Sequence, residues 1–110
     1  MTRREFGVGL VLLLGGTTVG AAQRGRKPST HTVTMEGMVF TPAALTIRTG
    51  DTVVWANKDI VEHTATASNN GFDSKMIAPG KSWKQTFKAK GSFDYVCKYH
   101  PTMKATLVVR

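Results

Sequence analysis

The chain has 110 residues, a formal net charge of +8 and a single cysteine, which limits it to one small domain and excludes an internal disulfide. The basic residues are scattered and accompany no recognised DNA- or RNA-reading motif, so we expect no nucleic-acid partner and instead an acidic partner or surface. In an exported protein, the thiol is then unpaired, intermolecular or bound to a metal.

Residues 1–22 are predicted to be an export signal peptide. Residues 1–5 are basic, residues 6–19 are apolar, and small residues follow at 20–22. The apolar run is too short and too rich in glycine for a transmembrane helix, which needs about 20 apolar residues, so no stable membrane insertion is expected. The pair Arg3-Arg4 fits either a twin-arginine signal or an ordinary Sec signal. Both routes predict a periplasmic protein.

The next segment, residues 23–30, is polar and basic and is broken by Gly25 and Pro28. This composition predicts a flexible N-terminus of the mature protein. The folded domain is expected to cover residues 31–110. His31 lies at the edge of the first predicted strand, and we expect it to be exposed to solvent.

Short runs rich in β-branched and aromatic residues recur between turn signals in the rest of the chain. Alternation supports strands, since Leu45 and Ile47 share one face of their run. No helical stripe of useful length is present. The pattern predicts an all-β Greek-key sandwich or barrel of about seven to eight short strands. The predicted runs are His31–Phe40, Ala44–Arg48, Thr52–Asn57, His63–Ala67, Ser82–Lys88, Gly91–Cys97 and Thr106–Val109.

The strongest chemical signal is the motif Cys97-x-x-His100-x-x-Met103. A thiolate, an imidazole and a thioether form a soft donor set, and one more histidine completes the His₂Cys pattern with a weak axial Met that is typical of electron-transfer copper sites. His63 is the best placed fourth donor. Alone, each of these residues is more often structural, but their joint spacing within a strand pattern favours copper binding.

Several segments resemble the cupredoxins, and among these the plastocyanin, pseudoazurin and amicyanin group. The resemblance covers roughly residues 32–109 and rests on Thr49–Trp55, His63, Ile77–Gly80 and Asp94–Met103. The two-residue gap between His100 and Met103 is most similar to amicyanin. Two departures stand beside the first histidine, since relatives usually have Pro and Asn where this chain has Glu62 and Thr64.

The resemblance implies a type 1 copper site that binds one Cu(I)/Cu(II) ion through His63, Cys97, His100 and a long axial Met103. It also implies that the amide of Thr64 lies near the sulfur and that the edge of His100 is the route for the electron. An apolar patch around His100 would contact partner proteins.

The implied function is that of a one-electron carrier between redox partner proteins with an acidic docking face, and the protein is expected to be a monomer. Lysines flank the copper end and form either a positive ring or, as most lysine sets do, a merely solvated surface. The alternative function is copper binding for delivery, storage or resistance. A thiol enzyme is not expected, because no oxyanion-hole Gln or orienting Asn accompanies Cys97. The lysines are Lys58, Lys75, Lys98 and Lys104.

Overall fold

The computed structural model describes residues 26–110, so the signal peptide expected at residues 1–22 lies outside the described residues. Within them the chain forms strands and loops without a helix, and therefore without a helix that could cross a membrane. The predicted all-β fold is confirmed. The strands are β1 (Thr30–Glu36), β2 (Val39–Thr41), β3 (Ala44–Ile47), β4 (Thr52–Asn57), β5 (Thr66–Ala67), β6 (Ser82–Thr86), β7 (Gly91–Cys97) and β8 (His100–Val109).

The strands form two four-stranded sheets in the orders β2-β1-β4-β6 and β3-β8-β7-β5. β1 pairs in parallel with β4, β3 pairs in parallel with β8, and the other neighbours are antiparallel. In β4, Val53, Trp55 and Asn57 are buried and alternate with partly exposed residues, because successive side chains of a strand point to opposite faces. The apolar faces of the sheets thus enclose the core of a sandwich.

Aromatic side chains fill the centre of this core. Trp55 is fully buried, and the centroid of its ring lies 5.2 Å from that of Phe72 and 5.7 Å from that of Tyr95. Such tilted and edge-on arrangements suit the quadrupoles of aromatic rings. Phe87 is also buried in this core, and Trp83 and Phe93 pack against it as partly buried residues.

The structure differs from the predicted strands at three places. The first predicted run is interrupted at Gly37 and Met38, which both have positive φ (69° and 64°) and join β1 to β2; this two-residue turn lacks the usual Asn-Gly signal. His63 lies outside any strand and forms only an isolated bridge with Ile77. The last strand begins at His100 instead of Thr106, because pairing with β7 extends it back to the turn at Lys98 and Tyr99.

A buried carboxylate, Asp51, closes the end of the sandwich where β1 and β4 begin. It accepts hydrogen bonds from the backbone amides of Ser29 (2.9 Å) and Arg48 (3.1 Å). The guanidinium of Arg26 lies 3.3 Å from it and the ring of His31 3.0 Å from it. His31 is therefore only 28% exposed, and the expectation that it is a solvent-exposed side chain is wrong because the carboxylate draws its ring inward.

Replacement of Asp51 by Asn should lower the free energy of unfolding at neutral pH. It should also make that free energy depend less on pH in the acid range. Burial alone raises the pKa of Asp51, but the amides of Ser29 and Arg48, the His31 bond and the Arg26 charge outweigh it and hold that pKa well below its usual range. The ionised group therefore stabilises the fold above the unfolded-state pKa of about 3.9, and this contribution is lost as the pH falls below it.

We expect Asp51→Asn to lose about 2 kcal/mol at pH 7, measured by urea unfolding, and the difference from wild type to shrink toward low pH. Asp94→Asn, at an exposed carboxylate that accepts a bond from the Thr106 hydroxyl (3.1 Å), is the matched control and should change little. Parallel stability curves for wild type and Asp51→Asn across the acid range would contradict this account.

Candidate metal centre

Three of the four predicted donors lie in the hairpin formed by β7 and β8. Cys97 is the last residue of β7 and pairs with His100, the first residue of β8, across the turn at Lys98 and Tyr99. The register shifts between Val96 and Cys97, as at a β-bulge, which re-aims a side chain. Cys97 is fully buried and Met103 is 2% exposed, while His100 is half-buried.

The fourth donor, His63, reaches this hairpin from a distant part of the chain. Its backbone exchanges two hydrogen bonds with Ile77 (3.2 and 2.7 Å), and its side chain is fully buried. The Nδ1 atom of His63 lies 3.6 Å from the Sγ atom of Cys97. The ring of His100 stands edge-on to that of His63, with 5.3 Å between centroids. The fold thus gathers the predicted imidazoles and the thiol at one end of the sandwich.

Thr64 joins the two halves of this site with two hydrogen bonds. Its backbone amide donates to the Sγ atom of Cys97 (3.4 Å), and its hydroxyl accepts a bond from the amide of Lys98 (2.9 Å). This residue stands where relatives usually have Asn. Its hydroxyl therefore links the two halves of the site, although the side chain of Thr is shorter than that of Asn.

From Thr64, a series of hydrogen bonds that the sequence did not reveal continues to the surface. The hydroxyl of Thr64 lies 3.0 Å from that of Thr66, which donates to Asp73 (3.0 Å). The carboxylate of Asp73 also accepts a bond from the ammonium of Lys98 (3.1 Å). The backbone amide of Lys75 and the bonds from Lys98 and Thr66 hold the pKa of Asp73 below its usual value against the opposing effect of burial. The ionised carboxylate of Asp73 can therefore accept the hydrogen bonds of Thr66 and Lys98 at the same time.

Asp59 holds the outer side of the His63 ring. Its Oδ2 atom lies 2.7 Å from Nε2 of His63, and the carboxylate also accepts the amides of Gly37 (2.7 Å) and Met38 (3.1 Å). The His63 bond is the largest cause that holds the pKa of Asp59 below its usual value, and the two amides act in the same direction while burial opposes them. Because an ionised carboxylate only accepts, Nε2 carries the hydrogen and Nδ1 offers a lone pair toward Cys97.

Asp59 was missed because nothing in its sequence context separates it from other loop carboxylates. The available signal is its position four residues before His63. A carboxylate that accepts the distal N–H of an imidazole is the usual support of a metal-binding histidine.

The chemistry of the donor set decides which metal fits this arrangement. In residues 26–110, His, Cys, Asp and Glu side chains alone form no group of three that could hold a metal ion. The further donor that the sequence predicts, the thioether of Met103, is also buried. Sulfur ligands of both kinds with imidazole suit copper and disfavour hard cations such as Mg²⁺ and Ca²⁺.

Comparison with known proteins agrees with this chemistry. A family model described as "Cupredoxin-like domain" matches residues 8–109. The chain belongs to the cupredoxin-like family. This match confirms the resemblance found in the sequence, and the type 1 copper ion expected from the donor residues is the cofactor that goes with that family.

Two curated relatives illustrate the relationship. Amicyanin from Paracoccus versutus is 29% identical over 82 residues, which cover 70% of this chain and 62% of that protein. Plastocyanin from Scenedesmus fuscus is 31% identical over 86 residues, covering 66% of this chain and 88% of that protein. The chain thus spans somewhat less than two thirds of the first relative and most of the second.

Solved structures show the same fold. A Cu(I) structure of an amicyanin mutant aligns with a TM-score of 0.68 at 27% identity, over 74% of this chain and 82% of that one. A Cu-containing nitrite reductase from Thermus scotoductus SA-01 aligns with a TM-score of 0.71 at 28% identity, over 77% of this chain but 23% of the reductase. The cupredoxin-like sandwich is therefore shared by a small copper protein and by part of a larger copper enzyme.

Thr64→Val should destabilise the protein by about 1–3 kcal/mol, because the partly buried amide of Lys98 loses its acceptor. The matched control is Thr64→Ser, which keeps the hydroxyl and should retain most of the stability. Urea unfolding of the metal-free protein measures both. Equal losses for Val and Ser would show that the methyl group, and not the hydroxyl, makes the important contact.

Proposed function

We propose that this chain is a small periplasmic blue copper protein that carries one electron at a time between redox partners. The observation that carries the proposal is the buried thiol of Cys97, with Nδ1 of His63 3.6 Å away and the Thr64 amide directed at its sulfur from 3.4 Å. A buried cysteine is ordinarily an inert apolar side chain. Here it faces an imidazole lone pair and a hydrogen-bond donor, which suits a metal-bound thiolate.

His63, Cys97, His100 and Met103 are the proposed ligands. The bound copper would supply the chemistry of a one-electron couple between Cu(I) and Cu(II). The amide of Thr64 would stabilise negative charge on the sulfur and thereby tune the reduction potential. Burial of His63, Cys97 and Met103 excludes water from these side chains.

The supports of the ligands explain how the chain can keep the site rigid. Asp59 fixes the His63 ring through Nε2, and Thr64 fixes the Cys97 segment through Lys98. Asn57 adds two hydrogen bonds from its side-chain amide, to the carbonyls of Val61 and Ile77 (both 2.9 Å). Side chains held by several such bonds change position little, and this keeps reorganisation small when charge changes.

The surface around the ligand end suits contact with a partner protein. The exposed large apolar side chains of the described residues lie on loops and turns at this end, except Val39 at the start of β2, and His100 at the same end is half-buried. Apolar side chains of this kind form the centre of protein interfaces. We propose that electrons pass through the His100 edge. The apolar residues are Met38, Val39, Ile60, Val61, Met76 and Tyr99.

Of the two alternatives for the lysines at this end, a positive ring or a merely solvated surface, the ion pairs favour the second. Lys75 and Lys98 lie 3.8 and 3.1 Å from the carboxylate of Asp73. These contacts neutralise part of the positive charge of the two lysines. An acidic docking face on the redox partner remains part of the proposal, with charge setting the rate of encounter more than the affinity.

We also propose the domain arrangement expected from the sequence. Residues 1–22 would direct export and be removed, residues 23–30 would form a flexible basic segment, and residues 31–110 would form the copper domain. The protein would act as a monomer. The nitrite reductase match favours no enzyme function here, because it covers only 23% of that enzyme. Furthermore, a surface cavity of about 510 Å³ is lined by none of the four ligands.

Titration with Cu(II) tests the proposed function. We expect uptake of one ion with an intense visible absorption band and reversible reduction. Cys97→Ser should abolish the colour because the thiolate is lost, whereas His31→Gln, at the third histidine, should keep it. A protein that binds one Cu(II) ion without colour, or that stays blue as Cys97→Ser, would overturn the assignment. Tight Cu(I) binding without a stable cupric form would instead support copper delivery or storage.

Asp59→Asn should weaken copper binding by about 10- to 100-fold, since loss of such a support for a ligand histidine has effects of this size. Competition with a Cu(I) chelator measures the affinity. Glu62→Gln is the matched control, because this exposed carboxylate neighbours His63 in sequence and its loss removes the same charge. Equal effects of the two variants would show that charge alone, and not the hydrogen bond, is responsible.

A further inference from the structure

The two ends of the sandwich differ sharply in charge. The metal end carries five lysines and four carboxylates; the lysines are Lys58, Lys75, Lys81, Lys98 and Lys104, and the carboxylates are Glu36, Asp59, Glu62 and Asp73. These charges nearly cancel. Most of the positive excess of the described chain must therefore lie elsewhere. That other region is a better binding site for the acidic surface expected from the sequence.

The opposite end carries that excess. Arg26, Arg48, Lys90 and Arg110 line a surface cavity of about 310 Å³ together with Thr49. All four basic side chains belong to exposed residues. Two further exposed lysines, Lys27 and Lys88, lie in the segments that deliver Ser29 and Phe87 to Asp51. The carboxylate at this end is Asp51, which is buried and bound to backbone amides.

The distance between the ends keeps their fields separate. β7 runs from Gly91, beside the basic cavity, to Cys97 at the metal centre, and seven residues of strand span about 20 Å. The Debye length at physiological ionic strength is about 8 Å. The carboxylates of the metal end therefore do not neutralise the basic end in solution.

The composition of the basic end indicates the kind of partner. The exposed large apolar side chains of residues 26–110 all lie at the metal end, so the basic end lacks the apolar centre of a protein interface. A surface that offers charge without apolar contacts suits a delocalised layer of anionic groups. Phospholipid headgroups form such a layer, and each Lys or Arg near it contributes about 1 kcal/mol.

We propose that this basic end binds the anionic phospholipid surface of a membrane peripherally, without insertion. A protein seated in this way would hold its metal end about 20 Å from the lipid, with the apolar patch turned outward. The inference stands on the charge distribution alone and does not require bound copper.

Co-sedimentation with vesicles tests the proposal. Full-length protein is mixed with vesicles of phosphatidylcholine alone or with added phosphatidylglycerol, so that residues 1–25 contribute equally to every variant. Wild type should partition to the anionic vesicles and dissociate as NaCl is raised. Arg48→Gln/Lys90→Gln should weaken partitioning by about 25-fold, which is about fivefold per charge at about 1 kcal/mol each.

The matched control is Lys58→Gln/Lys81→Gln, which removes two charges from the metal end and should change partitioning by less than about twofold given the screening length. A second basic-end pair, Lys88→Gln/Arg110→Gln, should behave like the first, and urea midpoints confirm that all variants fold. Equal partitioning to both vesicle types, or equal losses for the variants of the two ends, would overturn the proposal. So would tighter binding to poly-L-glutamate than to anionic vesicles, which would assign this end to an acidic protein.

Discussion

Two hydrogen bonds made by Thr64 join the His63 and Cys97 segments of the candidate metal centre. The segment around it has little sheet structure of its own, since β5 contains only two residues and His63 lies before it in an isolated bridge. The amide of Thr64 reaches the sulfur of Cys97, and its hydroxyl receives the amide of Lys98. These bonds therefore act with the Ile77 bridge and the Asp59 bond to fix the His63 imidazole relative to the thiol.

The buried and partly buried polar groups around the site are also fixed by hydrogen bonds. Asn57, Asp59 and Thr64 are each held by more than one hydrogen bond. Because a buried polar group without a partner costs about 1–3 kcal/mol, such groups tolerate few alternative arrangements. The donors are thus placed by a network in which each member limits the movement of the next, and a rigid site of this kind suits electron transfer.

The sandwich separates two kinds of surface along its length. Apolar residues such as Ile60 and Tyr99 lie at the end of the ligand hairpin, while exposed basic side chains line a cavity at the other end. The aromatic core around Trp55 lies between them and fixes their separation. One small domain can therefore present a contact surface for proteins and a charged surface without interference between the two.

The sequence predicted the strands whose alternation is clear, such as β4, and the donors that recur at short spacing around Cys97. Both signals are local. It failed at the turn of Gly37 and Met38 and at the start of β8, because turn geometry without a typical signal and extension by pairing depend on distant segments. For the same reason it did not reveal Asp59 or Asp73.

The amino-acid sequence by itself determined the all-β class, the soft donor set and the family, because residue type and spacing suffice for each. Only the tertiary structure decided which side chains support the donors and where the positive charge collects. The bond from the amide of Lys98 to the hydroxyl of Thr64 crosses more than 30 residues of chain. Contacts at such separation depend on how the two sheets pack, and no local pattern records them.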